Sequence, residues 1–157
     1  MISFLQGPGF LGTYAGLGSD LSLVIMVAAV LLLTVGVLLA ITRRYGAHRW
    51  VQTAAVCLSL IPVAVWMIRF FDLYILTALP ANLGKSTYAL ATTHAIIGAI
   101  GVVLGVFIVI RANQLEAQGR SLNRYKTPMR IAYVLYVLGL ALGIALYLVT
   151  YVYLTLK

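Results

Sequence analysis

The sequence predicts an all-α membrane protein: a four-transmembrane-helix up-down bundle with both termini outside. Three observations carry that expectation. Of its 157 residues, 63% are hydrophobic and 9% are charged, whereas about a quarter of a soluble domain is charged. The apolar residues fall into four runs long enough to cross a bilayer, which takes about 20 residues each. Basic residues gather in the two polar intervals that follow the first and third runs. Basic loops are retained on the cytoplasmic side, so those intervals set the orientation.

Taken in order, Met1 to Asp20 is loop chemistry, with Gly7, Gly9, Gly12, Gly16, Gly18 and Pro8. Phe4, Phe10 and Tyr14 suit an interfacial flap there. Ser19 or Asp20 can cap the first helix, because their oxygens accept the orphan amides of a helix start. The first span covers about 21–41 without an internal charge. The interval 42–50 is a short cytoplasmic loop with Arg43, Arg44, His48 and Arg49, and Trp50 marks the interface. The second span covers about 51–71 and contains Pro62, which should kink it or free a carbonyl. Arg69 and Asp72 stand three residues apart and can pair on one helix face.

The stretch 73–86, with Tyr74, Pro80, Asn82 and Gly84, reads as a short amphipathic piece and an outer turn. The third span covers about 88–110. The cytoplasmic loop 111–130 holds Arg111, Arg120, Arg124, Lys126 and Arg130 against Glu116 alone. The fourth span covers about 131–156, with Tyr147, Tyr151 and Tyr153 placed for an outer aromatic belt. The two cytoplasmic loops together hold eight Lys or Arg. Opposite them stand Arg69, Lys85 and Lys157, partly balanced by Asp20 and Asp72. The whole chain, 1–157, is expected to form one multi-pass domain in a prokaryotic plasma membrane.

The net charge of +8 does not point to nucleic acid, because the cations sit at span ends rather than in a stripe interleaved with exposed aromatics. Cys57 is the sole cysteine, which excludes an intramolecular disulfide and a multi-thiolate metal site. No paired carboxylates, no nucleophile beside a base and no phosphate-binding glycine loop are present, so the chain is not expected to be an enzyme. The lack of intramembrane acids argues against a proton-coupled transporter, since proton relays use them. Gly101 and Gly105 make a GxxxG on the third span, and Gly139 and Gly143 make another on the fourth. Small residues at this spacing let helix backbones approach closely, either between these two spans or against a partner subunit or a second copy.

The two histidines are the candidate cofactor ligands, because haem iron is commonly held by His. His48 lies at the mouth of the second span and His94 about two turns inside the third, near opposite membrane faces, too far apart for one iron. An antiparallel second span brings Met67 or Arg69 to the depth of His94, which makes a His94–Met67 haem b conceivable. Hydrogen bonding of His94 within the bundle is the simpler expectation, as is an interfacial role for His48. Tyr136, Gly143 and Tyr147 can line a quinone or chlorin pocket or belong to core and belt. No cofactor is the default, and no metal is expected.

His48–Trp50 (HRW), Thr93–Ala112 (THAIIGAIGVVLGVFIVIRA) and Gly143–Tyr151 (GIALYLVTY) resemble elements of a bacterial family of small polytopic membrane proteins. That family is the domain of unknown function 420, linked to haem–copper oxidase assembly. The resemblance runs from about Arg43 to Tyr151 in order and spacing. The chain departs from the family where further histidines are expected, in WMIRFFDLY and SLNRYKTPM, and Gln52 replaces an expected Met. The resemblance with these departures implies a non-catalytic accessory subunit or assembly factor of a respiratory or photosynthetic electron-transfer complex. A small haem- or quinone-binding electron carrier with His94 as ligand is the alternative.

Overall fold

The computed structural model describes residues 5–78, 85–119 and 123–153. Four helices long and apolar enough to cross a membrane dominate these residues: α1 Leu17–Ile41, α2 Tyr45–Leu76, α3 Ser86–Ala117 and α4 Lys126–Tyr153. No strand element occurs among the described residues; one isolated β-bridge joins Pro8 to Gly16. The most extensive packing joins α1 to α2 and α3 to α4, with thinner seams between α1 and α4 and between α2 and α3. That pattern is a ring of sequence neighbours, the up-down bundle that short connections favour.

The helices overrun the expected spans. α1 starts four residues before Leu21, and α2 starts at Tyr45, so the loop expected at 42–50 shrinks to the turn Thr42–Arg44. The turn is tight. Arg43 takes the left-handed conformation at φ 59°, and the amides of Arg43 and Arg44 return to the carbonyls of Ala40 and Leu39. The polar stretch 111–130 is mostly helix. α3 runs through Arg111 and Glu116 to Ala117, and α4 begins at Lys126. RANQLEA is rich in good helix formers, so the helix continues after the apolar run has ended. Gly119, at φ 63°, supplies the left-handed residue that ends it. Arg120 lies outside the described residues, as do Phe4, Pro80, Asn82, Gly84 and Lys157.

Pro62 acts on α2 as its chemistry requires. It cannot donate to the helical ladder and its ring crowds the preceding turn. The α-helical part ends there and Val63–Met67 is π-helical, with the Ile68 amide donating to the Val63 carbonyl five residues back. A second π-helical run, Phe71–Leu76, follows a three-residue α-helical piece. The wider turn explains a correction: Arg69 and Asp72 do not pair. Three residues fall short of one turn where the bonding is i to i+5. The ion pair among the described residues is Arg49–Glu116 instead.

The core is small and sits at mid-bundle. Val30 and Leu33 of α1, Ala55 and Val56 of α2 and Tyr136 of α4 form its buried cluster, with Val102 and Val106 of α3 packed against it. The residues facing away from this core are overwhelmingly apolar and exposed, among them Leu31, Ile61, Ile100, Val103 and Val134. A bundle with this inside-to-outside distribution is stable where its outer face meets lipid.

Candidate functional site: an acid-anchored tyrosine ladder and two helix-bound histidines

α4 places four tyrosines against hydroxyl or carboxylate partners. Tyr133 bonds to Thr34 of α1 at 3.1 Å, and Tyr136 bonds to Ser59 of α2 at 3.1 Å. Thr34 and Ser59 donate their own protons to the carbonyls of Val30 and Val56. The tyrosines are therefore the donors in both pairs. Ser59 is fully buried, and Tyr136 nearly so. Each of these pairs answers the same requirement: a hydroxyl removed from water must find a partner inside the protein.

The other two tyrosines gather at the start of α1: Tyr151 packs on Tyr147, and Tyr147 bonds to Asp20. Its carboxylate is fully buried and accepts three hydrogen bonds. The amides of Phe10 and Leu11 donate to Oδ2 at 2.7 and 2.8 Å, and Tyr147 Oη donates to Oδ1 at 2.6 Å. Thr13 closes the cluster with a 2.6 Å bond to Tyr147 Oη. Tyr151 packs on Tyr147 with ring centroids 5.2 Å apart and bonds to Ser19 at 3.1 Å. Asp20 also stands in the first turn of α1, where the helix dipole favours an anion.

This corrects two expectations. Asp20 is not an N-cap: Gly16 holds that position, with no side-chain cap bond. Tyr147 and Tyr151 are not belt residues but fasten α4 to α1 and to the segment before it; Tyr153 is exposed. That segment is a folded loop, not a free flap. The Gly9 amide donates to the Ala15 carbonyl at 3.1 Å, and the Leu17 amide to the Gly7 carbonyl at 2.9 Å. Gly9 lies directly against the Asp20 carboxylate, with no room for a Cβ. Phe10, Leu11 and Tyr14 remain exposed at the loop surface.

The histidines do not share a site. His48 Nδ1 meets the Gly36 carbonyl at 2.7 Å and ties α2 to α1, helped by Gln52, whose amide donates to the Leu33 carbonyl at 3.0 Å. His94 Nδ1 meets the Gly139 carbonyl at 3.0 Å and ties α3 to α4. A carbonyl only accepts, so Nδ1 carries a proton in each ring, and the neutral form of such a ring has its lone pair on Nε2. Gly143 makes room for His94, since a Cβ there would stand 3.0 Å from the ring. Met67 lies half-buried in the first π-helical run of α2. The hydrogen bond of His94 goes to α4 and not to Met67.

The glycines are used inside the chain. Gly101 packs against Leu135 and Tyr136, Gly105 lies under the Tyr136 ring, Gly139 faces Gly98, and Gly143 seats His94. The four glycines thus form the α3–α4 seam.

No group of three His, Cys, Asp or Glu placed to hold a metal occurs among the described residues. The residues near His94 fit a haem poorly. The ring lies on the Gly139–Gly143 backbone, and His48, the other histidine, is bonded to α1 instead. The apolar crevice between α1 and α2, lined by Leu21, Ile25, Ile61 and Trp66, is not at this histidine. Tyr136 and Tyr147 are committed to Ser59 and Asp20, which leaves neither phenol free for a quinone.

At the other end of the bundle, Arg49 Nη1 contacts Glu116 Oε2 at 2.5 Å while the guanidinium lies 5.0 Å from the Trp50 ring centroid. Arg111 reaches Gln114 at 3.2 Å and Tyr125 at 3.4 Å. These contacts place the α1–α2 turn, the end of α3 and the start of α4 side by side. No family model matches the chain, no curated protein matches it, and no solved structure matches it.

Proposed function

We propose that the chain is a non-catalytic integral membrane accessory subunit or assembly factor of a respiratory or photosynthetic electron-transfer complex. It acts by helix–helix docking in a prokaryotic plasma membrane. One observation carries the non-catalytic part. Asp20, Tyr133, Tyr136, Tyr147, Tyr151 and both histidines are engaged in bonds that join one helix or loop to another. Such a protein offers its outer surface rather than an interior site. The electron-transfer context rests on the family resemblance of the stretch from Arg43 to Tyr151.

With the glycine faces filled from within, docking falls to outward apolar stripes. Ile96, Ile100, Val103, Phe107 and Ile110 recur along α3 at the alternating three- and four-residue spacing of a helix seam, and all are exposed. By the charge rule both basic intervals face the cytoplasm and both termini lie outside. The second reading is a small carrier of haem b with His94 as ligand. The feature in its support is that His94, bonded through Nδ1, leaves Nε2 with a lone pair when neutral.

One preparation separates the two readings. The protein is purified in mild detergent, its co-purifying proteins are identified, and its reduced-minus-oxidised absorbance spectrum is recorded. The accessory reading expects membrane electron-transfer subunits to accompany it and no haem band that depends on His94. A b-type α-band that stays with the isolated protein and vanishes in His94→Ala would overturn it in favour of the carrier.

A further inference from the structure

The end of the bundle that carries the turn Thr42–Arg44 concentrates positive charge. Arg43, Arg44, Arg49, Arg111, Arg124, Lys126 and Arg130 stand there, and Glu116 is the lone acid among the described residues of that end. Glu116 is already matched by Arg49. Arg43, Arg44, Arg111, Arg124, Lys126 and Arg130 are all exposed, and none has an acidic partner among the described residues. Side-chain contacts draw the separate segments together: Arg49 to Glu116 joins α2 to α3, and Arg111 and Phe107 to Tyr125 join α3 to the start of α4.

The setting selects the partner. The cations stand at the ends of apolar spans, next to exposed Ile41, Tyr45, Trp50, Phe107 and Ile131. Of these, Tyr45 and Trp50 are the residue types that gather at the level of the lipid headgroups. A phosphate carried by a lipid is therefore the anion delivered to this surface at high local concentration. We infer that this end is a binding surface for anionic phospholipid headgroups, gathered by the arginines of several helices. Glu116 tempers it by neutralising Arg49. The inference is independent of the electron-transfer reading.

The test uses the full chain in neutral detergent, titrated with phosphatidylglycerol or phosphatidylcholine, with retained lipid counted by native mass spectrometry. Phosphatidylglycerol is expected to be retained in preference, and the preference should shrink as salt is raised from low to physiological ionic strength. Arg43→Gln with Arg44→Gln should weaken apparent affinity by roughly five-fold per charge removed, while Lys85→Gln, at the far end, should leave it unchanged. Glu116→Gln should strengthen it by freeing Arg49 from its ion pair. Lys126→Gln with Arg130→Gln, both exposed, gives the same reading if the first pair of substitutions impairs folding, and the salt titration of the unaltered protein needs no variant. Equal retention of the two lipids overturns the inference. So does binding of glycerol phosphate as tight as that of the lipid, which would assign the surface to a soluble phosphate compound.

Discussion

The two ends of the bundle handle charge in opposite ways. At the end where α1 begins and α4 finishes, one carboxylate is drawn inside and surrounded by donors from the loop and from α4. At the other end, cations are displayed and one acid meets one arginine at the surface, with side chains 46% and 27% exposed. Water competes for the second arrangement and not for the first. A buried carboxylate that loses its donors has nothing else to bond, whereas an exposed pair that separates is resolvated. The first end is therefore a fastening, and the second is a surface.

The comparison is broken most severely at Asp20. Asp20→Ala leaves the amides of Phe10 and Leu11 and the Tyr147 hydroxyl without their acceptor. Hydrogen bonds to a charged group contribute about 1.5–3 kcal/mol each. A loss of about 3 kcal/mol or more is expected in thermal or denaturant unfolding in detergent, together with new protease cleavage before α1. Gly9→Ala should follow closely, because its methyl would displace the carboxylate; about 1–3 kcal/mol is the usual scale of such overpacking. Tyr147→Phe removes one donor and leaves two, so about 1.5–3 kcal/mol is expected in the same assay. At the opposite end, Glu116→Gln should change stability by less than about 1 kcal/mol, as exposed ion pairs do. Gly46→Ala, in the first turn of α2 with open space around its Cα, should stabilise by about 0.5–1 kcal/mol through helix propensity.

Four spans were legible because hydropathy reports directly on solubility in lipid. Their ends were not. Hydropathy fell at Arg111, but Ala112, Gln114, Leu115 and Glu116 are all compatible with a continuing helix, which therefore extends beyond its apolar part. The spacing of Gly101, Gly105, Gly139 and Gly143 revealed a close-packing face without saying what fills it. In the structure Leu135, Tyr136 and His94 do. Asp20 was the least legible residue. The capping rule looks forward along the chain to the nearest orphan amides, whereas this carboxylate takes amides nine and ten residues upstream. Only the folding back of the glycine-rich loop brings those within reach. The usable signal was an acid placed where a long apolar span begins, which needs a partner wherever it is buried.

The most direct measurement is hydrogen exchange at the amides of Phe10 and Leu11, in the native protein and in Asp20→Ala. The account predicts slow exchange of both amides in the native protein, well below that of an unbonded loop, and fast exchange of both in the variant while the helices stay protected. Fast exchange in the native protein, or protection unchanged by the loss of Asp20, would contradict it.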